Sequence, residues 1–229
     1  MPRSVVLYAS SEVVRQLKQR LEERFGSEKI KPYTCSFAHE SEAGARRVRI
    51  TELVSYALAP TLDDLVARGQ ALPVSTADKE VCDVSYEDLM QGADRFRRTA
   101  VLYFSSPTII GLGGYSVSFP VLPLMLSYYI HVWNSLAGLK ITRAPELLEH
   151  VKMHDFRVSS ARTEHGAGFQ GWAALEIDKG RSEEEIQTFN ALIDLAFYCG
   201  TGLHTDEGLG QTRRAKDQGP RKKATIKQI

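Results

Sequence analysis

The stretch at residues 183–214, EEEIQTFNALIDLAFYCGTGLHTDEGLGQTRR, joins a long helix to a short strand through a loop rich in glycine. Apolar residues recur at helical spacing from residue 183 to 198, and Ser182 before three acidic residues predicts the start of the helix. Glycines at 200, 202, 208 and 210 follow the helix directly, and a last strand is predicted near Gln211. Helix, loop and strand predict the closing half of a βαββαβ unit.

The residues before this stretch supply the other elements of the same unit. Residues 98–104, RTAVLYF, predict a strand, and the glycines and prolines of residues 107–123 predict a long irregular link. Residues 124–136 predict a helix whose core face carries Leu126, Ile130, Trp133 and Ala137. Residues 153–162 and 168–177 alternate like two strands of a hairpin around the turn TEHGAG. The second half of the chain therefore predicts the order β-α-β-β-α-β.

The first half repeats this order with unrelated residues. Its predicted elements are a strand at 5–8, a helix at 12–25 with an apolar stripe of Val14, Leu17, Leu21 and Phe25, hairpin strands at 31–37 and 46–51, a helix interrupted at Pro60, and a weaker strand at 80–84. The doubled order predicts an α+β protein of two domains, residues 1–95 and 96–218, followed by a basic tail at 219–229. We expect two antiparallel sheets, each covered by two helices.

Composition limits the protein class. A chain of 229 residues with 43% hydrophobic residues is long enough to bury a core, and no stretch approaches the roughly 18 uncharged apolar residues that cross a bilayer. The three cysteines, Cys35, Cys82 and Cys199, are far apart and lack the spacing of a zinc site. We therefore expect a soluble, unexported, cytoplasmic protein without a structural metal.

Charge is unevenly distributed along the chain. Residues 211–229 contain seven lysines or arginines and one acidic residue, a local charge of +6 in a chain whose formal net charge is +1. The rest of the chain is therefore mildly acidic, with a charge of −5. A basic end beside an acidic body favours a localised contact with a polyanion, and a solvated terminus is the alternative for the residues after Pro220.

The glycine-rich loop lacks the GxxxxGK[ST] order of a Walker loop, and a GxG pair alone is weak evidence for any ligand. Several motifs are more specific in combination: KPYTCS at 31–36, RVRIT at 47–51, FSSPT at 104–108, GFQGW at 168–172 and GxGxxTxxGxGQ at 200–211. In this order and at these separations they resemble the CRISPR repeat-processing endoribonucleases, the Cas-six family, over essentially the whole chain.

The resemblance implies two tandem ferredoxin-like, RRM-like domains with a C-terminal glycine-rich loop. It also implies metal-independent cleavage of CRISPR precursor RNA at the base of a repeat stem-loop, leaving a 2′,3′-cyclic phosphate and a 5′-hydroxyl. We expect no cofactor and no metal. The implied partner is CRISPR repeat RNA, as precursor and as mature guide RNA. Other subunits of a CRISPR effector complex and a homodimer are compatible with the resemblance, and a membrane is not expected.

Metal-free cleavage requires groups that move protons and stabilise charge around the scissile phosphate. Members of the family usually place a histidine near the first helix, but residues 5–30 contain none. The catalytic candidates are therefore His39, as a proton carrier, with Arg15, Lys18 and Arg20 of the first helix as charge-stabilising groups. The alternatives are an exposed turn residue for His39 and a solvated helix face for the three cations.

The expected RNA-binding residues lie in two places, the glycine-rich loop with its basic flank and the hairpin of the second domain. They are Gly200, Gly202, His204, Thr205, Gly208, Gly210, Gln211, Arg213, Arg214, Arg157, Arg162 and His165. A surface hairpin carries such polar residues in any protein, which is the alternative for the last three. Amide groups of the loop are expected to meet phosphates.

Two other functions remain compatible with the sequence. The first is a non-cleaving RNA-binding subunit that holds the repeat, and the missing helix histidine favours it. The second is a small-molecule enzyme or an oligomerisation domain, because ferredoxin-like scaffolds carry many functions. The basic end and the glycine-rich loop favour RNA over the second alternative.

Overall fold

The computed structural model describes residues 3–9, 11–28, 30–36, 39–40, 46–54, 67, 71–73 and 84–215. The predicted helix around Pro60, apart from residue 67, and the basic tail at 219–229 lie outside these residues. So do the tip of the first hairpin and most of the predicted strand at 80–84.

The first half forms an antiparallel sheet. Its elements are β1 (Arg3–Ala9), α1 (Ser11–Phe25), β2 (Tyr33–Cys35), β3 (His39–Glu40), β4 (Arg46–Glu52) and β5 (Ala71–Pro73). The strand order is β2-β4-β1-β5, with β3 also paired to β4. This sheet closes with β5, which pairs with β1 and lies earlier in the chain than the strand predicted at 80–84. The predicted hairpin is confirmed, since β2 and β3 both run antiparallel to β4.

The second half contains the larger sheet. Its elements are α2 (Tyr86–Gly92), β6 (Thr99–Thr108), β7 (Ile110–Leu112), β8 (Tyr115–Val117), α3 (Leu122–Leu136), α4 (Ala144–His150), β9 (Val151–Thr163), β10 (Gly166–Ile177), α5 (Glu183–Cys199) and β11 (Thr212–Arg214). The strand order β11-β6-β10-β9 is that of a ferredoxin-like unit, as is the order in the first sheet. The predicted fold of two tandem ferredoxin-like domains is confirmed.

The core of the second domain follows from strand alternation. Ala100, Leu102 and Phe104 of β6 are buried and lie opposite the residues of β10 that are also buried or lack a side chain. On α3 the predicted face is confirmed, because Leu126, Ile130, Trp133 and Ala137 are all buried. Helix α5 begins at the predicted Ser182, whose hydroxyl accepts from the Glu185 amide while the Glu185 carboxylate accepts from the Ser182 amide.

Local details differ from the predictions at three places. The irregular link predicted at 107–123 contains the hairpin β7–β8, and β6 continues to Thr108. Helices α2 and α4 were not predicted, because each is only seven residues long and gives little periodicity. In the predicted stripe of α1, Leu17 and Leu21 are buried as predicted and Phe25 is partly exposed. Val13 is buried as well, and the side chain of Val14 lies outside the described residues.

Helix α2 packs against α5. The Gln187 side-chain amide donates to the Met90 carbonyl at 2.7 Å, and the Asn190 amide donates to the carbonyls of Asp94 and Arg97 at 2.8 and 2.7 Å. Tyr86 of α2 is buried in the same core as α3 and α5. No described helix has both the length and the apolar character needed to cross a membrane.

Candidate functional site

The glycine loop, residues 200–210, has a backbone that requires glycine. Gly202 and Gly210 have φ of 85° and 63°, which side chains rarely adopt. A Cβ atom on Gly202 would lie 2.1 Å from the Ile109 carbonyl oxygen, and one on Gly210 would lie 2.1 Å from the Thr201 carbonyl oxygen. Gly202 therefore allows the loop to pack directly against the backbone that follows β6, and Gly210 allows the two ends of the loop to approach each other.

Several amides of the glycine loop are used inside the protein. The Leu203 amide donates to the Ile109 carbonyl at 2.9 Å, and the Gly210 amide donates to the Pro107 carbonyl at 2.8 Å. The Thr201 amide donates back to Gly210 at 2.8 Å. These three amides hold the loop in shape, so they do not support the expectation that loop amides meet phosphates.

The glycine loop also joins the two domains. The Cys35 amide of β2 donates to the Thr205 carbonyl at 2.9 Å, and the Gln211 side-chain amide donates to the Cys35 carbonyl at 3.2 Å. The Arg49 guanidinium donates to the Gln211 side-chain oxygen and lies 4.4 Å from the ring centre of Phe197. Thr205 and Gln211, both expected to bind RNA, are buried and serve this joint.

Two lysines of the first domain reach the same loop. Lys18 of α1 donates to the Glu207 carbonyl at 3.1 Å. Lys31 lies 2.5 Å from carboxylate oxygens of both Asp206 and Glu22. Partial burial by itself lowers the pKa of Lys31, but the two carboxylate partners outweigh it and raise the pKa above its usual value. Lys31 therefore carries a full positive charge beside the loop.

The structure separates the catalytic candidates. Lys18 contacts the glycine loop, and Arg15 lies three residues earlier on the same side of α1. Arg20 lies about 200° around the helix axis from Lys18, so it is exposed on a different side of α1 from the glycine loop. His39 lies on β3 opposite Arg47 of β4, four residues after the end of β2 at Cys35. The strand that precedes His39 in the chain is β2, and β2 is hydrogen-bonded to the glycine loop through Cys35.

Two predicted histidines meet at the edge of the loop. His165, at the tip of the β9–β10 hairpin, stacks on His204 with ring centres 3.7 Å apart and an angle of 14°. The Nε2 atom of His165 and the Nδ1 atom of His204 each lie 2.9 Å from a different oxygen of Glu207. Burial by itself raises the pKa of Glu207, but hydrogen bonds and charges from both histidines outweigh it and lower the pKa.

A second candidate surface crosses the open face of the larger sheet. Arg213 of β11 lies opposite Tyr103 of β6, Tyr103 opposite Trp172 of β10, and Trp172 opposite Arg157 of β9. Directly opposed residues share a face, and this face is the one that the buried residues of β6 do not occupy. The Arg213 guanidinium lies 5.6 Å from the Tyr103 ring centre. We call these four residues the cross-strand row.

The remaining predicted residues divide by environment. Arg214 is largely buried, and its guanidinium donates to Asp194 at 2.9 Å and to the Asn190 side-chain oxygen. Arg162 is exposed on β9, but its odd separation from Arg157 places it on the opposite face of the strand. Gly200 ends α5 with φ of 69° and Gly208 has φ of 112°, so both serve the turn of the loop.

Four residues of these surfaces were not predicted: Tyr103, Trp172, Lys31 and Glu207. The alternation in RTAVLYF could have indicated Tyr103. Side chains alternate between the two faces of a strand, so Tyr103 must lie on the face opposite to Leu102 and Phe104. Lys31 and Glu207 had no such signal, since their partners are distant in sequence.

The comparisons with known proteins agree with this architecture. The family model of the CRISPR-associated endoribonuclease Cas6 matches residues 102–212, from β6 to β11. The solved structure of Thermus thermophilus Cas6 superposes with a TM-score of 0.75 at 20% identity, covering 94% of this chain and 98% of that one. No curated protein sequence matches the chain significantly.

Two further structures are Cas6 product complexes. One superposes with a TM-score of 0.76 at 21% identity and covers 94% of this chain and 99% of that one. The other has a TM-score of 0.75 at 24% identity and covers 94% and 100%. At these identities the likeness of the whole chain to these structures shows the fold. The sequence match to the Cas6 family model covers the second domain, residues 102–212, so this part of the chain carries the sequence pattern of Cas6 endoribonucleases.

Proposed function

We propose that the chain is an endoribonuclease that processes CRISPR precursor RNA by cleavage at the base of a repeat stem-loop. The observation that carries this proposal is the match of residues 102–212 to the Cas6 endoribonuclease family. It is supported by two similar structures that are Cas6 product complexes, and by a third that is a Cas6 complex with a substrate mimic.

The proposed site lies where α1, β2 and the glycine loop meet. The 2′-hydroxyl of the RNA attacks the adjacent phosphate, the 5′-oxygen leaves, and the products are a 2′,3′-cyclic phosphate and a 5′-hydroxyl. A proton must leave the attacking hydroxyl and another must reach the leaving oxygen, and His39 is the proposed carrier. Lys18 and Arg15, on one side of α1, are proposed to stabilise the charge of the phosphorane.

His39 is the only histidine among the first 95 residues of the chain. One of the similar Cas6 structures, 24% identical, is of a variant in which a histidine is replaced by alanine. In this chain His39 follows β2, and β2 is hydrogen-bonded to the glycine loop. This position supports the proposed role of His39 as the proton carrier. Arg20 is not proposed to take part, because it lies on another side of α1.

The cross-strand row is proposed to hold the RNA away from the cut. Aromatic side chains offer stacking surfaces to unpaired bases, and flanking arginines offer charge to phosphates. Tyr103 is 36% exposed, and Arg157 and Arg213 are exposed at the two ends of the row. The row thus combines exposed aromatic and basic side chains on a sheet face, as do the sheets of RNA-binding domains that stack aromatic side chains on the bases of single-stranded RNA.

Single-turnover cleavage of end-labelled repeat RNA in excess EDTA tests the proposal. We expect the parent protein to give a 2′,3′-cyclic phosphate product under these conditions, because the mechanism needs no metal. His39→Ala should lower the rate by ~10²–10⁴ with little change in RNA affinity, as expected for a lost proton carrier. His131→Ala, an exposed histidine on α3, is the matched control and should cleave like the parent.

A loss smaller than about tenfold in His39→Ala would exclude a proton-transfer role for that residue. The second candidate function, a non-cleaving subunit that holds the repeat, is favoured by the absence of histidine from α1. It predicts tight binding of the same labelled RNA by the parent protein with no product, with or without metal.

A further inference from the structure

The side chains of His165, His204 and Glu207 converge at the edge of the glycine loop. One potential ligand atom from each residue lies within 4.8 Å of those of the other two. Within the described part of the chain this is the one group of three or more histidine, cysteine or acidic side chains with such spacing. The three residues come from two separate segments, since His165 belongs to the β9–β10 hairpin.

Both segments hold their ligands in place. At the hairpin tip, the His165 amide donates to the Thr163 hydroxyl at 3.1 Å, and that hydroxyl donates to the Gly166 carbonyl at 2.9 Å. In the loop, the Glu207 amide donates to the His204 carbonyl at 3.0 Å. His204 has φ of 58°, an uncommon conformation for a residue with a side chain, so the loop backbone fixes its position.

The ligand chemistry suits zinc. A carboxylate can only accept hydrogen bonds, so each imidazole directs an N–H at Glu207. For a cation to bind, each of these ring nitrogens must offer a lone pair instead, and its proton moves to the other ring nitrogen or, where that nitrogen already carries one, to solvent. Two imidazole nitrogens and one carboxylate oxygen match zinc sites that keep a fourth position for water.

The three side chains are 24%, 34% and 41% exposed, so a hydrated cation has access from solvent. The buried cysteines Cys35 and Cys199 are not part of this group, and burial raises the pKa of the Cys35 thiol to about 11. Zinc binding by the folded protein would therefore report on the histidines rather than on these thiols.

We propose that His165, His204 and Glu207 form a zinc site that fastens the β9–β10 hairpin to the glycine loop. The role is structural, because the ion joins two segments separated by 38 residues of chain. None of the three ligands is the proposed proton carrier His39, and cleavage in EDTA is expected to continue. The proposal therefore does not depend on the proposed function.

The test is a titration of tag-free, EDTA-stripped and dialysed protein with Zn²⁺ against a fluorescent chelator. We expect one equivalent of zinc to bind the parent protein. His165→Gln and His204→Asn should each weaken binding at least tenfold, since even residues that only support metal ligands cost about 10–100-fold. Asparagine is chosen at 204 because it tolerates positive φ. His154→Gln, an exposed histidine on β9, is the control and should bind like the parent.

Thermal unfolding shows whether each variant is folded and whether zinc stabilises it. Saturating zinc should raise the unfolding temperature of the parent and of His154→Gln, and should not raise that of His165→Gln or His204→Asn. A parent protein that takes up no stoichiometric zinc overturns the proposal. So do folded His165 and His204 variants that bind zinc as tightly as the parent. Absence of RNA cleavage in EDTA would instead count against the proposed function.

Discussion

The glycine loop and the cross-strand row lie in the same domain but differ in how their polar groups are used. In the loop, Gly210, Leu203 and Thr205 make backbone hydrogen bonds to β6, to the following segment and to β2. In the row, Tyr103 and Arg213 are exposed, and their contact with each other leaves both accessible. The loop is thus a joint between domains, and the row is an open surface.

The comparison shows that the most recognisable part of the sequence need not be the part that contacts RNA. The glycine pattern is the most recognisable feature of the sequence, yet Gly202 and Gly210 are required by close approach to protein backbone. A pattern can therefore mark a family because its fold needs it. RNA contacts are better sought among exposed side chains such as those of the row.

The largest expected effect is on stability, from Gly202→Ala. The added methyl would meet the Ile109 carbonyl and would also sit at φ of 85°, so we expect the free energy of unfolding to fall by roughly 2–5 kcal/mol. Gly180→Ala is the matched control, because Gly180 has φ of 81° with open space around it, and it should lose only about 1–2 kcal/mol. Urea unfolding measures both, and equal losses would contradict the role of close packing.

A smaller effect, on RNA affinity, is expected from Tyr103→Ala. Loss of one stacked base should weaken binding of repeat RNA by roughly 5- to 150-fold, which corresponds to about 1–3 kcal/mol. Phe156→Ala removes an aromatic side chain that is 51% exposed and lies next to Arg157 on β9, on the face opposite to the row, and it should bind like the parent. Fluorescence anisotropy measures the affinities. Equal weakening in the two variants would show that the row is not a specific contact.

The smallest effect is expected from two adjacent arginines with the same charge. Arg213→Gln should weaken RNA binding several-fold and reduce the slope of log K against log salt by about 1, because one phosphate contact is lost. Arg214→Gln should leave this slope unchanged and instead lower the free energy of unfolding by about 1–3 kcal/mol, because Arg214 is bonded to Asp194 and Asn190. A lower salt slope in Arg214→Gln would remove the distinction between exposed and anchored charge.

Local patterns in the sequence determined most of the fold. The alternation in RTAVLYF placed β6, Ser182 with the three acidic residues after it placed the start of α5, and the doubled order of elements placed both sheets. These signals work because strand period, helix period and capping depend on residues close in sequence. Short elements such as α2 and the β7–β8 hairpin were missed, since a few residues carry little periodicity.

The candidate surfaces were decided by tertiary structure. The sequence by itself selected His165 and His204 as separate RNA contacts, and only folding stacks them against Glu207. It also treated Arg213 and Arg214 alike, and the strand alternation of β11 exposes one and anchors the other on α5. Residue types and local periods are written in the sequence, whereas which distant side chains meet depends on how the strands pair and how the helices pack.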